Sequence, residues 1–298
     1  MHLFLGLKQK PIASQTLLLL LIMLFFTLHS SAESSVWQVS SQGNSVFLGG
    51  TVHLLRPSDY PLPEEYEQAY RQSEQLYFET DINSMSSLQV QAKMMQQLTY
   101  SDGRSLKTIL SEEAYSALDS YTEKVGLPLL MLEKFKPGLL VSTLQIIEFQ
   151  KMGFTPQGVD AYFNTRAMGD GKALGALEPV EAQIDYIAKM GEGKESEFIL
   201  LSLQEMDELE TMMEQMISAW RTGDSALLAE LFVDEMRLET PDLYQSLLVE
   251  RNNNWMPIIE AMFDDEDTEF VLVGAAHMVG EDGLLAQLES RGYEVRQL

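Results

Sequence analysis

Apolar positions along this chain fall into two patterns. Short runs bounded by turn-forming residues read as strands: Val36-Trp37-Gln38-Val39, Val46-Phe47-Leu48, Leu76-Tyr77-Phe78-Glu79 and Phe270-Val271-Leu272-Val273. Ser41-Gln42-Gly43-Asn44 joins the first two as a hairpin. Gly171 to Glu178 and Tyr293-Glu294-Val295 are further strand-like runs. Elsewhere apolar residues recur every three or four positions, the helical period. One helix opens after Leu62-Pro63, where proline suits a first turn and Glu64 and Glu65 favour the positive helix start. A helical stretch from about Met85 to Phe154 is broken at Gly126-Leu127-Pro128 and Lys136-Pro137-Gly138. Gly158-Val159-Asp160 opens a helix through Arg166, and Pro179 starts one that includes Gln183. Glu195 to Trp220 reads as one long amphipathic helix, with Met206, Met212, Met213 and Met216 as core packing rather than a metal-binding stripe. Asp224 to Leu231, Leu243 to Phe263 (with a break near Pro257) and Leu284 to Glu289 complete the set. No linker rich in Pro, Gly or Ser divides the chain. The pattern predicts a single α/β domain over residues 33–298, with a helical insertion at about 84–157.

The first 32 residues stand apart. Lys8 and Lys10 precede the apolar run Leu17 to Phe26, and Ser30-Ser31-Ala32 follows, the plan of a secretory signal cut after Ala32. An uncleaved anchor is the alternative, but a spanning helix needs about 20 apolar residues and this run is shorter. The expected location is periplasmic or secreted, with no stable membrane insertion after cleavage. Cysteine is absent, so neither disulfides nor a lipid-bearing cysteine is in use. The net charge of -25 becomes -27 once Lys8 and Lys10 go, because residues 1–32 carry no acid. That field repels nucleic acid and anionic lipid and keeps the chain dissolved. Asp264-Asp265-Glu266-Asp267 reads as a solvated turn; it lacks the glycine and alternation of a calcium loop.

Candidate chemistry sits at two matching strand ends. Gly50-Thr51-Val52-His53 and Gly274-Ala275-Ala276-His277 both place Gly-x-x-His after an apolar run. The chain has four histidines, and removal of the leader takes His2 and His29 with it. Glu79 and Glu178 also end strand-like runs. If the strands are parallel, two imidazoles and two carboxylates converge on one sheet edge, where open α/β sheets bind ligands. That donor set suits a divalent ion such as Zn, Mn or Co, which would lower the pKa of bound water and polarise a carbonyl. Plain roles compete: Glu79 and Glu178 as helix caps or as partners of Arg251 or Lys172, and Arg251 as a bridge between acids. Functionally, Arg251 suits a substrate carboxylate or a developing oxyanion. No serine elbow, thiol nucleophile, phosphate loop or dinucleotide fingerprint is present.

The residues Leu48 to His53, Tyr77-Phe78-Glu79, Gly158-Val159-Asp160, Leu177-Glu178 with Gln183, Arg251-Asn252, and Val273 to His277 with Gly280 to Leu284 run in an order that resembles the TraB/PrgY/GumN family. That family is related to the Tiki metalloproteases within the erythromycin-esterase/ChaN-like superfamily. The resemblance implies a mixed, largely parallel central sheet flanked by helices, and a metal site formed by both Gly-x-x-His motifs and a glutamate. By position, His53 and His277 become metal ligands, Glu79 a ligand or general base, and Glu178 and Arg251 supporting catalytic residues. Gly49-Gly50 departs from the single glycine usual in the first motif. The expected function is metal-dependent hydrolysis, with peptide bonds the first expectation and water activated by the metal, on a peptide or small-molecule substrate. The alternative is a non-catalytic binding protein that sequesters a peptide or a haem-like ligand.

Overall fold

The computed structural model describes residues 33–298, so the expected leader lies outside the described residues. Six strands form one sheet in the order β4-β3-β5-β2-β1-β6. β1 (Val36–Ser41) and β2 (Asn44–Thr51) make the hairpin, antiparallel in register Val36 to Gly49. Its two-residue turn needs left-handed backbone, which Gln42 (φ 52°) and Gly43 (φ 100°) supply. β5 (Glu269–Gly274) lies parallel to β2 on one side and to β3 (Gln75–Phe78) on the other. β4 (Ala173–Ala176) continues the parallel set beside β3, and β6 (Glu294–Gln297) closes the far edge antiparallel to β1. The sheet is mixed and mostly parallel, helices flank it, and the fold is α/β.

Central position explains the unbroken apolar run of β5: Phe270, Val271, Leu272 and Val273 are all fully buried. Tyr66 from the helix Glu64–Gln72 meets Phe163, Trp220 and Phe270 at centroid separations of 6.3, 5.7 and 6.3 Å. Burial of each such side chain contributes about 1.5–3 kcal/mol. Gly49 is required here, because a Cβ would lie 2.8 Å from the Phe270 ring, and a Cβ on Gly50 would lie 3.3 Å from Ala275 Cα. The doubled glycine thus serves two separate close approaches. The segment after β3 holds the helices Leu88–Leu98, Glu112–Lys124 and Pro137–Lys151; the last two are separated near the predicted breaks, whereas the break between Leu98 and Glu112 is not one the sequence pattern predicts.

Several elements differ from the sequence expectation. The stretch read as one helix from Glu195 to Trp220 is two, Glu195–Glu205 and Leu209–Thr222, turning at residues 206–208. Met206 and Leu209 are buried at that turn, so packing bends a locally helical sequence. Met206, Met213 and Met216 lie buried in the core cluster, with Met212 half-buried against it. The helix Glu250–Ala261 runs through Pro257 rather than breaking there, with Trp255, Met256 and Ile259 buried on both sides of it. Upstream, the helical path contains two wide π turns, Ala229–Asp234 and Gln245–Val249. β4 is shorter than the run Gly171 to Glu178 and sits at the sheet edge, three of its residues half-buried.

Candidate functional site

Because β4, β3, β5 and β2 are parallel neighbours, the residues that follow them share one edge. Glu178 follows β4, Glu79 follows β3, and His277 and His53 follow β5 and β2. Backbone pairing extends past the strands, with Glu178 N donating to Glu79 O (2.9 Å). Gly274 marks the meeting point: a Cβ on it would lie 3.1 Å from Glu79 Oε1, 3.6 Å from His277 Cδ2 and 4.0 Å from His53 Nε2. The facing atoms of the two imidazoles are therefore within about 8 Å of each other. The structure brings His53, Glu79, Arg251 and His277 to one cavity; Glu178 stands behind Arg251.

Each imidazole is held through Nδ1. Asp160 Oδ2 accepts from His53 Nδ1 at 2.8 Å, and Thr51 donates to the other Asp160 oxygen at 2.9 Å. Asp160 is placed by Gly158, where a Cβ would fall 2.2 Å from the His53 carbonyl, and by the Val159 N–H bonded to Val52 O (3.0 Å). At the second motif, Asn252 donates its amide to His277 O (3.2 Å) and Asp282 O (2.9 Å). That orientation leaves Asn252 Oδ1 to accept from His277 Nδ1 at 2.7 Å. Arginine can only donate, so the 2.9 Å contact from Arg251 Nη1 requires His277 Nε2 to carry the lone pair. Both rings thus direct Nε2 away from their anchors.

The cavity floor is an ion-paired cluster. Arg251 Nη2 donates to Glu79 Oε2 (2.5 Å) and Glu178 Oε1 (2.7 Å), and its Nε reaches Glu178 at 3.1 Å. Gly274 N donates to Glu79 Oε1 at 2.7 Å, Gln183 donates to Oε2 at 3.1 Å, and Trp255 Nε1 donates to Glu178 at 3.1 Å. Both carboxylates pair with Arg251, the plain role weighed for them from sequence. Burial works to raise Glu79, but Arg251, the two histidines and the Gly274 N–H outweigh it and leave the carboxyl at about 2. Burial pushes His277 down to about 3, so it is neutral. The Asp160 charge lifts His53 to about 9, although 65% of that side chain is exposed and solvent weakens the pull.

The donor types fit a borderline divalent ion, and imidazoles anchored through Nδ1 on oxygen acceptors are oriented as metal-bound ones are. One position is taken: Arg251 lies on the His277 lone pair, and among the described residues no three His, Cys, Asp or Glu side chains stand together as a metal-binding group. Asp160, Asn252 and Thr51 were legible only as members of motif strings; their anchoring roles depend on partners more than 20 positions away in sequence. No helix of the described residues is long and apolar enough to cross a membrane.

A largely parallel sheet whose carboxyl edge gathers two anchored imidazoles and a buried carboxylate–guanidinium cluster defines an α/β protein with a histidine–carboxylate pocket. The chain belongs to the TraB/PrgY/gumN family, whose model matches residues 35–297. No curated protein and no solved structure matches the chain.

Proposed function

We propose that the pocket is the centre of a metal-dependent hydrolase acting on peptide bonds, in a protein exported to the periplasm or beyond. The observation that carries this reading is the pair of imidazoles, each anchored through Nδ1, directing Nε2 toward one carboxylate-bearing cavity. His53, His277 and Glu79 would hold the ion. Bound there, a divalent cation supplies Lewis-acid polarisation of a carbonyl and a lowered pKa for water. Counting Glu79, Glu178 and Asp160 against Arg251 and a protonated His53, with His277 neutral, the cluster still has a surplus of negative charge, and a dication that displaces the His53 proton offsets it.

Glu79 stays ionised above about pH 2 with both oxygens engaged, which suits an anionic ligand. The base role expected for it requires one of those bonds to open first. Arg251 holds a buried positive charge beside the cavity, suited to a developing oxyanion. Asp160 and Asn252 orient the imidazoles.

A second reading, capture of a peptide without turnover, is favoured by the guanidinium on His277 Nε2. Within that reading a haem-like ligand is the poorer fit. The cavity is about 280 Å³, at the lower edge of the roughly 300–1,000 Å³ typical of small-molecule clefts. Metal analysis of the purified mature protein, with cleavage of a peptide library measured before and after chelation, separates the readings. Stoichiometric metal and chelator-sensitive cleavage are expected. Bound metal with no cleavage would leave the capture reading, and a protein that takes up no divalent ion would end the metal proposal.

A further inference from the structure

The cavity has two unlike walls. One carries the polar groups already described. The other is built from Met216, Phe232, Met236, Leu247 and Leu248, with no charged side chain among them. Met216 and Leu248 are buried; Phe232, Met236 and Leu247 are half-buried. These five come from three helical segments that close over the carboxyl edge of the sheet. Two of those segments hold the π turns: Phe232 lies in Ala229–Asp234, and Leu247 and Leu248 in Gln245–Val249. A π turn widens a helix locally and recurs at functional sites. Here the second sits immediately before the helix that carries Arg251 and Asn252, so one segment contributes to both walls.

An apolar lining that shares a small cavity with ionised groups is costly to leave filled with water, and it gains from an apolar occupant. The volume of about 280 Å³ admits a side chain with its adjoining backbone. Arg251 sits with the polar groups, bonded to two carboxylates, and the five apolar residues offer no cation to an acidic side chain of the occupant. Methionine at two of the five positions supplies a deformable, polarisable lining suited to several shapes of apolar group.

We infer that the wall formed by Met216, Phe232, Met236, Leu247 and Leu248 is a specificity subsite that takes one apolar side chain of a peptide, of the Leu, Met or Phe kind, beside the imidazole pair. The inference rests on the peptide-hydrolase reading for its statement that this side chain flanks the cleaved bond. Its binding claim is measurable without cleavage.

The test uses a set of blocked peptides identical except at one position, which is Leu, Met, Phe, Ala, Asp or Lys. Binding to the metal-depleted mature protein is followed through methyl-labelled methionines, and kcat/KM is followed on the metal-loaded protein. The Leu, Met and Phe peptides should bind on the order of 10-fold or more tighter than the Ala and Asp peptides, as deletion of apolar groups in such a pocket does. They should shift the Met216 and Met236 resonances. Phe232→Ala should move the preference toward larger side chains. Met236→Lys should raise the relative affinity for the Asp peptide, and Phe232→Leu serves where Ala impairs folding. Equal binding of all six peptides, binding of none, or variants that weaken all six alike would overturn the subsite. Apolar preference in binding without cleavage would keep the subsite and remove the hydrolase reading. Cleavage without preference would do the reverse.

Discussion

Arg251 shows at the scale of one residue why the pocket floor is stable. A buried guanidinium alone would be expensive, and so would two buried carboxylates; each offsets the other, and removal of one partner from such a set costs about 3–5 kcal/mol. Glu269 has no such compensation. It opens β5, is 4% exposed, and its Oε2 has no hydrogen-bond partner among the described residues. Burial, then the charges of Asp265 and Asp267, push its carboxyl up to about 7. The folded chain therefore binds a proton there more tightly than the unfolded chain, whose value is near 4.5. The associated stability is fully present below pH 4.5 and is lost as pH rises through 7. Glu269→Gln should remove that dependence: relative to the parent, the variant gains on the order of 1–3 kcal/mol between pH 5 and pH 8. Urea unfolding at the two pH values measures the gain, and an unchanged difference between variant and parent would refute it. The acids at 264–267 signalled a charged turn in the sequence, but a buried glutamate behind them could not be told from one more solvated acid without the strand order.

At the scale of elements, the strands, the two Gly-x-x-His ends and the opening of the Gly158-Val159-Asp160 helix were all legible. Short apolar runs and glycine spacing are local signals, and those positions obey them. The adjacency of β2 and β5 was conditional on parallel strands, and the structure supplies that condition. What stayed hidden depended on distant packing: the turn at 206–208, the two π turns, and the anchors Asp160 and Asn252. Gly158 joins the two classes, since its residue type was visible and its reason was not. A Cβ there would meet the His53 backbone at 2.2 Å, so the helix Val159–Asp170 must withdraw from β2. Gly158→Ala should cost about 1–3 kcal/mol, the usual scale for overpacking, and should loosen the His53–Asp160 bond. Denaturant unfolding reads the first effect. The second appears as a fall of the His53 titration midpoint toward its ordinary value of 6.5, because Asp160 is what raises it. A variant with parental stability and midpoint would show that the close approach is not needed.

For the whole molecule, under the proposed function, charge biases which peptides reach the pocket. Residues 33–298 carry -27, and the ionised groups at the pocket are mostly acidic, with Arg251 paired to two of them. Such a field attracts cationic solutes and repels anionic ones before any contact forms, and added salt screens both effects as the Debye length falls from about 10 Å at 0.1 M to about 3 Å at 1 M. Under the proposed subsite, the apolar wall would then sort what arrives by one side chain, so long-range charge and short-range packing would select for different parts of the same peptide. Two peptides with the same apolar residue but opposite net charge separate these contributions. Association of the cationic one should slow by roughly tenfold between low and high salt, and association of the anionic one should quicken over the same range. Dissociation rates of both should change much less, because the apolar contacts are insensitive to screening. Stopped-flow binding at several salt concentrations measures all four rates. Equal salt dependence for the two peptides would place recognition in the pocket alone and leave the acidic surface to solubility.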